Sequence, residues 1–181
     1  MILLKTRGWL TAVLIILVAI SIFVYFSGPE AKLKDSENST LTITDQVGRT
    51  VEIPEKVDEI VATGPGALRF LAYLDATDKV VGLERIEKTW AKKLPYNVAN
   101  SHLRTLPVIG PPFGGDPELI MEQEPDVIFW RLASAGQAED LQEKTGIPVV
   151  VLGTGGVVDP WQDNTFYDTL KLMGKILDRK D

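Results

Sequence analysis

The run D-P-E-L-I-M-E-Q-E-P-D-V-I-F-W-R, residues 116–131, sets one helix and one strand end to end. Asp116 suits a helix N-cap, Pro117 the first helical position, where its missing N–H is not needed, and Glu118 the positive end of the helix. A helical stretch over 117–123 follows. Asp126-Val127-Ile128-Phe129-Trp130 is then apolar without alternation, as a strand covered on both faces must be. Working outward, similar β-rich runs recur at 59–62, 80–83, 107–110 and 148–152, with amphipathic stretches at 67–74 and 135–144, the latter stopping at Gly146 before Pro148. Strand and helix alternating through short connections predict an α/β fold, a parallel doubly wound sheet. Upstream, residues 41–45 and 50–53 alternate apolar with polar around Gln46-Val47-Gly48-Arg49, which predicts an N-terminal β-hairpin with Gly48 in the turn. Downstream, Phe166, Leu170, Met173 and Leu177 fall at spacings of four, three and four, so 164–177 predicts a helix with one apolar stripe.

Composition narrows the function. The 181 residues hold 25 acidic and 19 basic side chains, one His and no Cys. Disulfides, zinc–thiolate sites, thiolate chemistry and a lipidated cysteine are therefore excluded. Lys5 and Arg7 precede an uncharged run at 9–26, and with 1–28 set aside the remainder has a net charge of about −8, which argues against a nucleic-acid partner. Eighteen helical residues span about 27 Å, enough to cross a hydrocarbon layer. Positive charge before the run and Glu30 after it predict a transmembrane helix with everything downstream outside the cytoplasm. Phe23-Val24-Tyr25-Phe26 is bulky where a cleavage site wants small residues, so the segment reads as a retained anchor in preference to a cleaved signal. Residues 1–28 are thus the anchor or signal, and 29–40, rich in Lys, Glu, Asp, Ser and Asn, a solvated tether.

Ligands of parallel sheets collect at the carboxyl ends of strands. The candidates there are Gly64, Pro65, Gly66 and Arg69 after the first strand of the sheet, Glu84 and Arg85 after the second, and Trp130 and Arg131 after the fourth. The Gly64-Pro65-Gly66 turn opens a helix whose free N–H groups suit an anion or a carbonyl, and it reads equally as a tight strand-to-helix connection. Arg69 stands where a dinucleotide fingerprint needs its third glycine, and no P-loop lysine follows. The 84–88 cluster reads as a ligand clamp or as a solvated loop. An aromatic beside a guanidinium, Trp130 and Arg131, suits a flat or anionic ligand, unless Trp130 only covers the sheet edge. Gly153-Thr154-Gly155-Gly156 allows close backbone approach or serves as a hinge, and Tyr96 and Asn97 can reach the same cleft. For catalysis there is one isolated histidine, His102, and no G-x-S-x-G elbow, H-E-x-x-H helix or acidic metal triplet. No cofactor, metal site or enzymatic activity is expected, and an extracytoplasmic hydrolase or nucleotide-dependent enzyme is the weaker reading.

The order T-D-Q-V-G-R-T-V-E-I-P (44–54), E-I-V-A-T-G-P-G-A-L (59–68), K-V-V-G-L-E (79–84) and D-P-E-L-I-M-E-Q-E-P-D-V-I-F (116–129) resembles the substrate-binding proteins of iron-siderophore, haem and cobalamin ABC importers. The resemblance covers about residues 41–178. It implies two α/β lobes joined by one long helix, a metal-chelate ligand between the lobes, and an ABC permease as membrane partner. On that pattern 41–156 is the N-terminal lobe, 157–181 starts the connecting helix, and the C-terminal lobe is absent or supplied as a separate chain. A ligand-free docking adaptor or a truncated fragment is the alternative. Glu118 matches the carboxylate by which the family's N-terminal lobe docks onto its permease, and it reads equally as a partner of the helix dipole.

Overall fold

The computed structural model describes residues 39–153 and 165–179, all within one compact unit, Asn38–Asp181. The expected membrane helix and most of the tether lie outside the described residues. Among the described residues, no helix is long and apolar enough to cross a membrane.

The hairpin forms as the alternation predicts. Strands β1 (Thr40–Thr44) and β2 (Thr50–Pro54) pair antiparallel, with Ile43, Val51 and Ile53 buried and Gly48 at φ 82° in the turn. The main sheet is parallel throughout, in the order β4 (Val80–Gly82), β3 (Ile60–Thr63), β5 (Val127–Arg131), β6 (Val149–Leu152). Its central strands are buried on both faces. Ile60, Ala62, Val127, Phe129, Val150 and Leu152 enter one core with the hairpin, helix α1 (Ala67–Tyr73) and the C-terminal helix. Val61, Ile128, Trp130, Val149 and Val151 enter a second core against helices α4 (Pro117–Met121) and α5 (Ala135–Thr145). The missing alternation in these runs is thus the direct consequence of a sheet covered on both sides.

The helices end where their sequence says. Asp116 caps α4, its side chain accepting from the N–H groups of Glu118 at 2.9 Å and Leu119 at 3.3 Å, with Pro117 in the first turn. Ser134 and Gln137 form a capping box on α5, and Gly146, at φ 71°, closes it. In the C-terminal helix α6 (Thr165–Ile176), Phe166, Leu170 and Met173 pack on the first core, with Leu177 just past the last turn.

One expected strand is corrected. Residues 107–110 make only a single parallel bridge, Leu83 to Val108. Leu83 N–H donates to Pro107 O and Ile109 N–H to Leu83 O, but Pro107 has no N–H of its own and the chain after Leu83 turns at once into helix α2 (Arg85–Thr89). The charged 84–88 run, read as loop or clamp, is therefore largely helical, and the long connection beyond it holds a further helix, α3 (Pro95–Ala99), and a 3-10 turn at Ser101–Thr105.

A clasp absent from the sequence reading ties the hairpin to the sheet. The buried Asp45 carboxylate accepts from Val47 N–H at 3.1 Å, Arg49 N–H at 2.9 Å, Arg49 Nη1 at 3.1 Å and Val151 N–H at 3.3 Å. Arg49 also donates to Val149 O and Gln142 Oε1, both at 3.1 Å.

Candidate functional site

Strand order creates a crevice. From β3 the chain crosses through α1 to β4, while β5 on the other side of β3 continues through α5 to β6. The loops leaving β3 and β5 diverge to opposite faces, which makes their carboxyl ends the switch point of the sheet, where ligands of such sheets bind. Thr63 pairs with Trp130, so Gly64 faces Arg131 across this point. Gly64 is at φ 85°, and a Cβ there would press into the carbonyl oxygen of Arg131. Only glycine lets the two backbones approach this closely.

Two guanidiniums converge on the turn. A Cβ placed on Gly66 would lie 3.6 Å from Arg131 Nη1 and 4.0 Å from Arg69 Nη2. Arg131 is buried and its Nη1 donates to Pro65 O. Burial, and then the charge of Arg69, hold its pKa below the usual arginine value. Arg69 lies over the rings of Phe70 and Tyr73, at 5.8 and 5.9 Å, and its Nε is buried with no hydrogen-bond acceptor among the described residues. Gly64, Pro65, Gly66, Arg69 and Arg131 are thus assembled in one place.

The other candidates are placed differently. Glu84 is buried and turned into the protein, its Oε1 accepting from the Thr63 hydroxyl, from Gly64 N–H at 3.1 Å and from Gly114 N–H at 3.2 Å. It ties the loop after β3 to the loop before α4. Arg85 starts α2 with an exposed side chain. Trp130 is only 7% exposed and packs beneath the chain at Gly114, where a Cβ would come within 2.7 Å of its ring. Of the two readings of Trp130, covering the sheet is the one its burial matches. Glu118 is exposed beside a surface hollow lined by Asp116, Pro117, Met121 and Lys144. Of the 153–156 glycine run only Gly153 falls within the described residues.

A second polar cluster lies next to Arg69. Both oxygens of the buried Glu87 carboxylate are within 3.1–3.2 Å of the Tyr96 hydroxyl, and Oε2 accepts from Asn97 Nδ2 at 2.7 Å. Burial pushes the Glu87 pKa up, against the opposing effect of these hydrogen bonds. Burial, followed by the Glu87 charge, raises that of Tyr96, and Arg69 is close enough to act in the opposite direction. Tyr96 and Asn97 therefore serve Glu87.

Such a lobe, a doubly wound sheet with a cationic crevice at its switch point, is the architecture of a ligand-binding α/β domain. The profile of the periplasmic binding protein family matches residues 60–181, and the chain belongs to that family. The molybdate-binding protein MolA of Haemophilus influenzae is 26% identical over 154 residues, covering 76% of this chain and 43% of that protein. Its structure with molybdate superposes with a TM-score of 0.64 at 23% identity, over 77% of this chain and 47% of that one. The petrobactin-binding protein YclQ of Bacillus subtilis gives 0.60 at 22% identity over 79% and 47%. A periplasmic solute binding protein of Veillonella parvula gives 0.65 at 22% over 78% and 42%. At these identities the structures are alike in fold. The chain spans about half the length of the relatives it matches.

Proposed function

We propose that this chain acts as the N-terminal lobe of the substrate-binding component of an ABC importer, outside the cytoplasmic membrane, and that it takes an anionic metal-bearing ligand, an oxyanion or a negatively charged metal chelate. The observation that carries the reading is the convergence of Arg69 and Arg131 on the Gly66 turn at the switch point. An anion seated there meets positive charge from both side chains and gives the buried Arg69 Nε an acceptor. A neutral ligand offers an acceptor but no countercharge. Glu84, buried under the turn, shapes the site without touching ligand, Trp130 supports it from below, and Arg85 stands at its rim. Molybdate and petrobactin, named for two of the relatives, sample the two ligand kinds.

In this reading residues 41–156 are the lobe, 157–181 lead toward a second lobe, 9–26 anchor the chain and 29–40 tether it. Glu118, exposed at the start of α4, docks onto the permease. A single lobe buries only part of a ligand, so affinity without the second wall is weak.

Titration of the full chain with molybdate, a ferric catecholate and haem, followed by tryptophan fluorescence and calorimetry, tests the ligand class. The expected outcome is weak binding of at least one anion, lowered about tenfold or more in Arg69→Gln, the loss of one charge-assisted contact. Equal affinity of wild type and Arg69→Gln for every ligand that binds refutes the anion reading of the crevice.

A further inference from the structure

A surface beside α2 remains without a role. Lys88, Thr89, Ala91, Lys92, Lys93 and Arg104 line a hollow of about 450 Å³ beside α2. Four cations therefore share one wall, in a chain whose formal charge is −6. None of the four pairs with a carboxylate among the described residues. The two acids nearest in sequence, Glu84 and Glu87, are turned inward and hydrogen-bonded there. In the same turn Trp90 stands 49% exposed, and Val98 on α3 is 52% exposed.

We propose that this face docks on anionic phospholipid, with Lys88, Lys92, Lys93 and Arg104 against the headgroups and Trp90 in the interfacial layer. The chemistry separates a membrane from a small soluble anion. A small anion is best held by buried donors, as proposed for Arg131 and the Nε of Arg69, whereas Lys92, Lys93 and Arg104 are exposed and three of the four cations are flexible, hydrated lysine stems. Basic residues flanking an exposed Trp in the sequence, Lys88, Lys92 and Lys93 about Trp90, are the composition of an interfacial contact, where cations meet phosphate and an amphipathic ring settles at headgroup depth. The proposal rests in part on the tether proposed above, which keeps the lobe within reach of a bilayer. Its consequence is orientation: a lobe lying on this face presents a restricted set of angles to a permease in the same membrane.

The test uses the full chain reconstituted in phosphatidylcholine vesicles with and without phosphatidylglycerol, part of the phosphatidylcholine being brominated. Trp90 quenching is taken as the difference between wild type and Trp90→Phe. It is expected only in the anionic vesicles, to fade as salt is raised, and to fall with the docked-to-free ratio by on the order of 20-fold in Lys92→Gln/Lys93→Gln, about fivefold per cation removed. Because Trp90, Lys92 and Lys93 are on the surface, circular dichroism of the variants should match wild type. Quenching that is absent, or equal in both kinds of vesicle, overturns the proposal. So does protection of the Lys92–Lys93 region from trypsin by inorganic phosphate without vesicles, which assigns the hollow to a small anion. Flotation separates the tether from the patch: loss of wild type from neutral vesicles with Trp90 quenching intact in anionic ones removes the tether alone.

Discussion

Replacing Gly64 by Ala tests whether the β3–β5 switch point is built as described. Two costs act there. Gly64 sits at φ 85°, a region that costs a residue with a Cβ about 1–2 kcal/mol. The added methyl would also overlap the carbonyl oxygen of Arg131 and lie 3.1 Å from its carbon. Those atoms are backbone of β5, paired to β3 on one side and β6 on the other, so relief requires shifting a central strand. Overpacking of this kind costs about 1–3 kcal/mol, which brings the total to about 2–5 kcal/mol. Two other glycines calibrate the result. Gly66, at φ 75°, has only the ends of Arg131 and Arg69 within 4 Å, so Gly66→Ala carries the dihedral cost alone, about 1–2 kcal/mol. Gly136 lies in α5 with nothing within 4 Å of its Cβ position, and Gly136→Ala should stabilise by up to about 1 kcal/mol. Denaturant unfolding of the purified full chain, followed by far-ultraviolet circular dichroism, gives the three differences at constant slope. A Gly64→Ala loss no larger than that of Gly66→Ala refutes the close approach of β3 and β5 at this point.

Further expectations follow from the same contacts. Asp45→Ala removes the buried partner of Arg49 together with the acceptor for three backbone N–H groups, and should cost about 3–5 kcal/mol in denaturant unfolding; a loss under about 1 kcal/mol would mean the hairpin does not depend on the clasp. Glu87 has a folded pKa above its unfolded one, so the neutral carboxyl is the form the fold prefers, and its contribution is present at low pH and lost as pH rises through the folded value. Glu87→Gln should therefore gain on wild type in melting temperature as pH rises from the acid range to neutrality, and a gap independent of pH contradicts the burial argument. Glu118→Gln removes a dipole interaction worth about 0.3–1 kcal/mol and should lower the melting temperature by a few degrees at most while weakening permease capture at low salt; unchanged capture with a lowered melting point leaves Glu118 as a helix-stabilising residue only.

Much of the scaffold was legible because its signals are local. The unalternating runs at 59–62, 126–130 and 148–152 say that strands are covered on both sides without saying what covers them. Asp116-Pro117 and Gly146 mark helix ends through atoms within four residues of one another, so no distant partner is needed to read them, whereas the equally local capping box of Ser134 and Gln137 is absent from the sequence reading. The Gly64-Pro65-Gly66 turn with Arg69 and Arg131 was legible for a related reason, since any residue following a parallel strand emerges on the ligand edge. What lay beyond reach was everything settled by a distant neighbour. Glu84 and Arg85 are adjacent and both charged, yet one is buried because Thr63, Gly64 and Gly114 bring it hydrogen bonds from 20–30 residues away. Glu87 is likewise held by Tyr96 and Asn97, and Asp45 by Val151 across 106 positions. The run at 107–110 has strand composition, but its ladder ended with the short partner strand and its own proline. The sequence by itself therefore determined the class of fold, the Asp116 and Gly146 caps and the sheet edge on which the candidate residues gather, because periodicity, capping and strand direction act within a few residues. Tertiary structure alone decided the order β4-β3-β5-β6, and with it which loops part to form the crevice and which charges are withdrawn from it, because strand order and burial depend on pairings between segments far apart in the chain.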